Sequence, residues 1–315
     1  MFCLSMITFF ISYQFYYELH AAKNYCYICS SQSFCRLMSV IVFTVILLLG
    51  SYFAGLLGSL TGLGGGFIII PLLTLLLKVD IHYAIGASLI SVIATSSGSA
   101  AAYVKEGITN IRLGMFLEIA TTAGAFTGAI LAIYIPTHYI AILFGVILIF
   151  SAIMSLRQKA EHIVHKETFL SKKLKLGGKY PMNGKSIAYG VSNISGGFFM
   201  MVFAGIISGL LGIGSGALKV IAMDGIMRIP FKVSTTTSNF MIGVTAAASA
   251  VVYLQRGYIH PGLAMPVVIG VLLGAISGSK ILVHASSSKW LRWMFAIVIT
   301  VIAIQMIYNG IEGKI

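Results

Sequence analysis

Seven apolar runs near bilayer length recur along the chain: Val40–Leu57, Tyr83–Val104, Leu113–Ile135, Tyr139–Leu156, Phe231–Leu254, Leu263–Val283 and Trp290–Ile307. Each approaches the roughly 20 residues a helix needs to cross hydrocarbon. Only 9% of the 315 residues are charged and 58% are hydrophobic. A soluble domain of this size carries about 25% charged residues, so this chain could not cover a soluble surface. The expected fold is an all-α, polytopic membrane protein, with the lipid bilayer as its surroundings.

The net charge of +13 is not spread evenly. Arg157, Lys159, Lys166, Lys172, Lys173, Lys175, Lys179 and Lys185 fall in one connection between apolar runs. Lys/Arg clustered in a short loop marks the cytoplasmic face, where anionic headgroups attract it. A nucleic-acid partner is not expected, because base-reading or stacking groups would then stand among the charges. This loop has Phe169 and Tyr180 as its aromatic residues. The expected location is a multi-pass position in the plasma (inner) membrane, with loop 157–186 in the cytoplasm.

All four cysteines, Cys3, Cys26, Cys29 and Cys35, precede residue 36. One CxxC pair is half of a structural zinc site, so no metal is expected. Residues 1–37 read as an N-terminal extension outside the working protein, with Met38 opening a clean span. The segment lacks the basic n-region of a signal peptide.

One half of the chain repeats the other. Gly62-LGGG-Gly66 and Gly212-IGSG-Gly216 lie 150 residues apart with the same glycine spacing. The same offset pairs Ser88 with Ser238, Thr95 with Thr245, Ser99 with Ser249, Tyr103 with Tyr253, and Gly124 with Gly274. It also pairs Lys78 with Arg228 and His82 with Lys232. The expected organisation is a first membrane repeat over 38–156, the basic loop over 157–186, and a second repeat over 187–315. Each repeat holds a glycine-broken or re-entrant helix. Taking each interrupted run as one net crossing gives four crossings per half and puts the loop and both termini inside. Whether the repeats are parallel or inverted stays open, because broken segments defeat hydropathy counting.

The glycine clusters carry the functional reading. Unwound backbone survives in a membrane only where protein or water surrounds it. Glycine allows the positive φ such a turn needs. A helix that restarts after the turn presents free N–H groups and a partial positive charge, which suits an anion. Paired discontinuous helices mark a transporter's site. The candidate substrate-binding set is therefore Gly62, Gly64, Gly65 and Gly66 with Gly212, Gly214, Ser215 and Gly216. Polar side chains beside the turns join it: Ser88 and Thr95 in the first half, Thr237, Ser238, Asn239 and Thr245 in the second. Hydroxyls and amides donate to an anion without fixing a charge. A serine or threonine that bonds back to its own helix would be structural instead. Gly124/Gly128 and Gly274/Gly278 read as close-packing positions.

Lys219 lies three residues past Gly216, deep in the run. A charge there is costly and functional by default, and could neutralise an anion; snorkelling to the interface is the alternative. Asp224 and Arg228 have the i,i+4 spacing of a structural ion pair. Glu118 either carries a proton or reaches the interface near Arg112. His82 and Lys232 are expected to flank the membrane.

At these residues the sequence resembles the TauE/SafE family of membrane permeases, a sulfite-exporter-like group. The likeness rests on Gly58-SLTGLGGGFIIIP-Pro71, Gly209-LLGIGSGALKV-Val220, Phe231-KVSTTTSNFMIGVTAAASA-Ala250 and Tyr253-LQRGYIHPGLA-Ala264. It covers about residues 38–309. Ser215 stands where the family usually has glycine, and Ile221 where it often has proline. The resemblance implies movement of small sulfur-containing or organic anions such as sulfite or sulfonates. The function expected is a secondary transporter working by alternating access, with no cofactor. Coupling to a proton, or to none, is open. A passive anion channel is the alternative. An intramembrane hydrolase using Ser215 is less well supported, since a nucleophile needs a base within hydrogen-bond reach and His260 and His284 lie near helix ends.

Overall fold

The computed structural model describes residues 30–61, 65–105, 109–156, 169–174, 176–182, 185–284 and 289–313. The expected cysteine segment up to residue 29, Gly62 and Gly64 lie outside the described residues.

Helix α1 runs Ser30–Thr61, passing through the expected boundary at Met38. A short helix α2, Gly66–Pro71, continues into a π-helical stretch, Leu72–Leu76. Helices α3 (Ile81–Lys105), α4 (Ile111–Tyr134) and α5 (Thr137–Leu156) follow. The connection holds a short helix α6, Phe169–Leu174, and two strands, β1 (Gly178–Met182) and β2 (Lys185–Tyr189). Then come α7 (Ile194–Leu211), α8 (Gly216–Val220) with its own π-helical stretch (Ile221–Ile226), α9 (Phe231–Gln255), α10 (Pro261–His284) and α11 (Lys289–Ile311).

Among the described residues, five stretches are long and apolar enough to cross a membrane: Ile81–Gly98, Ile111–Tyr134, Ile194–Leu211, Phe231–Gln255 and Pro261–Gly278. Shorter apolar helical stretches cover Val42–Gly58, Gly66–Leu76, Thr137–Ile153 and Ile299–Ile311. The chain is a helical, multi-pass membrane protein. The departure from an all-helical chain is the antiparallel β1–β2 hairpin, in register from Gly178 opposite Tyr189 to Met182 opposite Lys185.

Element bounds recur along the chain. The first residues of α3 and α9 are 150 apart, and so are those of α4 and α10. Both π-helical stretches end alike. Leu77 N–H donates to the Leu72 carbonyl (3.3 Å) and Val79 to Leu73 (3.0 Å); Met227 donates to Ala222 (3.0 Å) and Ile229 to Met223 (3.0 Å). Lys78 (φ 53°) and Arg228 (φ 55°) then turn the chain through left-handed backbone. That turn takes Arg228 off the π-helical stretch that holds Asp224.

Packing crosses between the halves. Helix α1 lies along α10, α7 along α4, α3 along α9, and α5 along α11. The first two pairs are close because glycines face backbone. A Cβ on Gly274 would overlap the Tyr52 carbonyl oxygen, and one on Gly124 the Val202 carbonyl oxygen. Small residues let membrane helices approach this way, as expected for Gly124 and Gly274.

The connection is tied to the bundle through Asn110. Its side chain caps α4 by accepting from Leu113 N–H (3.0 Å). Its amide nitrogen donates to the Leu176 carbonyl (2.8 Å) and to Tyr189 Oη (2.9 Å). Burial pushes the Tyr189 phenol up to about 12 against the opposing effect of that hydrogen bond, so it is protonated at neutral pH.

Candidate functional site

The break after α7 is built from backbone that disfavours ordinary side chains. Gly212 (φ 66°) caps α7 in the left-handed region, its N–H donating to the Ser208 carbonyl at 2.8 Å. Gly214 (φ 75°) and Ser215 (φ 45°) share that region before α8 restarts at Gly216. Left-handed backbone is open to glycine and costs an L-residue about 1–2 kcal/mol. Ser215 Oγ is buried without a hydrogen-bond partner, so no base among the described residues stands within hydrogen-bond reach of it.

The first-half turn comes close to the second. Gly65, with φ −75°, precedes α2. A Cβ on Gly66 would sit 2.6 Å from Ser88 Oγ and 3.3 Å from the Gly212 carbonyl oxygen. Ser88 Oγ itself donates to that carbonyl at 2.8 Å. A small hollow beside this meeting point is lined by Phe67 of α2, Ser151 of α5, Ile213, Ser215, Gly216 and Ile299 of α11, among others.

Lys219 points elsewhere. It is wholly buried on α8, and its ammonium donates to Thr245 Oγ1 of α9 at 2.5 Å. Thr245 Oγ1 lies 2.7 Å from Glu118 Oε1 of α4 and 2.9 Å from the Met241 carbonyl oxygen. Thr122 Oγ1 donates to the same Glu118 oxygen at 3.2 Å. Glu118 is 8% exposed, and its second oxygen, Oε2, has no hydrogen-bond partner. A cation and an acid, both inside the bundle, are thus bridged by one hydroxyl. Their opposite charges offset the cost of burying either alone.

The chain matches the family model described as "Sulfite exporter TauE/SafE" over residues 47–306. The chain belongs to the TauE/SafE family. Similar TauE/SafE-type relatives include the probable membrane transporter protein YunE of Bacillus subtilis (strain 168). It is 30% identical over 279 residues, which span 85% of this chain and 98% of the relative. The probable membrane transporter protein YdhB of the same organism is 27% identical, covering 75% and 89%. A probable membrane transporter protein of Methanocaldococcus jannaschii, MJ0441, is 25% identical, covering 83% and 94%. No solved structure is a significant match. The family and these relatives support a transporter role rather than an enzymatic one.

Within this TauE/SafE chain the expected site residues divide into groups. Gly65, Gly66, Gly212, Gly214, Ser215 and Gly216 meet at the turns with Ser88, and Ser238 Oγ donates to the Gly216 carbonyl at 3.1 Å. Lys219 and Thr245 form the separate network with Glu118. The remainder are bound into the helices. Thr95 Oγ1 donates to the Ser91 and Val92 carbonyls, both at 3.1 Å. Thr237 Oγ1 accepts from Asn110 N–H at 3.1 Å, at the start of α4. The Asn239 carbonyl accepts from Ser96 Oγ at 2.6 Å, joining α3 to α9.

His82 stands at the start of α3. It is 9% exposed, with Nδ1 3.2 Å from Asp80 Oδ1, Nε2 3.3 Å from the Ala132 carbonyl, and its ring stacked on Tyr258. Lys232, in the first turn of α9, is exposed. Glu118 does not reach out toward Arg112; it is the acidic member of the buried network. An acid within a span is by itself a functional signal, and that signal was sufficient to single it out.

Proposed function

We propose that the chain is a secondary transporter for a small anion, of the sulfur-containing or organic class such as sulfite or a sulfonate, working by alternating access. The observation that carries this is the fully buried ammonium of Lys219, one turn beyond a glycine-built break in a membrane helix. A buried intramembrane cation suits a solute of negative charge. Ser215 Oγ, buried and unpartnered at the same break, adds a donor. The family description, sulfite exporter, supports the substrate class.

Two homologous four-crossing repeats, over 38–156 and 187–315, are the architecture we infer. The recurring helix bounds and matched π-helical ends support it. Alternating access then follows from one half rocking against the other. The basic connection 157–186 is assigned to the cytoplasmic side of the plasma membrane by its Lys/Arg content.

The test is a flux panel of sulfite, sulfonates, sulfate and carboxylates in reconstituted vesicles. Saturable counterflow of at least one anion is expected. Linear, non-saturating flux would assign a channel, and no anion flux at all would remove the proposal.

A further inference from the structure

Resting on that reading, we propose that Glu118 carries a coupling proton, so that one proton crosses with each monovalent anion. Ionised, Glu118 and Lys219 sum to zero charge, and an anion entering beside them would be left uncompensated in a medium where that is costly. With Glu118 protonated the cluster carries one positive charge, matching one monoanion. Anion and proton therefore bind best together and leave best together.

Thr245 is built for both states. Its hydroxyl has two acceptors in reach, Glu118 Oε1 at 2.7 Å and the Met241 carbonyl at 2.9 Å. Facing an ionised Glu118 it donates to the carboxylate. When Glu118 takes a proton from water, the new O–H donates to Thr245 Oγ1, and the threonine proton turns to Met241. Thr245 accepts from Lys219 throughout. No buried hydrogen bond is lost, and Glu118 Oε2, which has no partner, holds no bond that the change would break.

The surroundings leave Lys219 as the charged group in this network. Helix α7, packed along α4, carries no titratable side chain. On α9 the titratable groups are Lys232, exposed in the first turn, and Tyr253, whose hydroxyl faces the Gly209 and Leu210 carbonyls at 3.4 and 3.5 Å. Asp224 belongs to the π-helical stretch beyond α8, and Arg112 is exposed at the start of α4.

The experiment uses the full chain in vesicles, with methanesulfonate as the main probe because it stays a monoanion at all working pH, and sulfite beside it. One proton per anion predicts accumulation against a pH gradient of about tenfold per unit, since one unit is worth about 1.4 kcal/mol. A dye for internal pH should report proton movement with the anion. Glu118→Gln should abolish both responses, while Glu118→Asp keeps them. Saturable counterflow that ignores the pH gradient in the wild type would overturn the coupling and leave the permease reading standing. Absence of counterflow with either probe would instead count against that reading. A gradient response that survives in Glu118→Gln would overturn the role of Glu118. A measurement on the wild type alone covers a variant that fails to fold: carbodiimide, which attacks protonated carboxyls in apolar surroundings, should modify Glu118, and an unmodified Glu118 across acidic and neutral pH overturns the proposal.

Discussion

Thr95 and Thr245 lie 150 residues apart, on helices α3 and α9 of equal length, yet they do different work. Thr95 donates into its own helix. Thr245 joins a lysine to a glutamate across three helices. The positions that match Lys219 and Glu118 at the same offset are Ile69 and Val268. At each of these matched positions only one member is charged, the acid in the N-terminal part of the chain and the cation in the C-terminal part. The offset also pairs Gly65, with ordinary helical φ, with Ser215, whose φ is positive. The comparison teaches that positions matched by the offset need not share their chemistry: the buried network takes its acid from the N-terminal part and its cation and hydroxyl from the C-terminal part.

Making the second half like the first should have the largest effect. Lys219→Ile leaves Glu118 buried beside no cation, which should cost about 3–5 kcal/mol and abolish flux. Adding Glu118→Val should restore most of that stability, measured as thermal unfolding in detergent, without restoring transport. A single variant as stable as wild type would show that the two charges do not offset each other.

The turns come next. Gly214→Ala forces a side chain into left-handed backbone, about 1–2 kcal/mol, and its Cβ would meet Ile242 Cγ2 at 2.6 Å. Gly65→Ala keeps φ near −75°, with its nearest contact the Ala54 carbonyl oxygen at 3.3 Å. Anion flux should therefore fall further for Gly214→Ala than for Gly65→Ala. Equal losses would mean the first turn is no more tolerant than the second. Smaller again, Ser88→Ala removes the bond that ties α3 to the Gly212 carbonyl, for about 1 kcal/mol in thermal stability.

Much of this was legible in the sequence. Four of the seven apolar runs fall on stretches long enough to cross a membrane and three on shorter apolar helices, while Ile194–Leu211 was not among the runs; the offset of 150 gave the recurring helix bounds. Other features depend on partners distant along the chain. Glu118 stands six residues from Arg112, so linear spacing suggested an interfacial acid; its actual partner is on α9, a contact no local pattern encodes. The π-helical ends have no signature, because Leu72–Leu76 is an ordinary apolar stretch. The hairpin left a clue that the lysine run obscured. Asn183-Gly184 separates the two strands, and Asn-Gly between strands is a strong hairpin signal. Asn110 likewise read as part of a polar turn; its side chain joins α4 to Leu176 and to β2, and its backbone N–H donates to Thr237 of α9.

The smallest expected effect separates stability from binding at one atom. Ser215 occupies left-handed backbone at φ 45°, and its buried Oγ has no partner. Both features are unfavourable in the fold itself, so Ser215→Gly should raise stability by about 1 kcal/mol. A hydroxyl kept there at such a cost is explained if it donates to the anion. Ser215→Gly should then raise the unfolding temperature while raising the anion concentration needed for half-maximal flux. If stability rises and that concentration stays put, Ser215 is only a strained substitute for glycine, and the second turn binds through backbone amides alone.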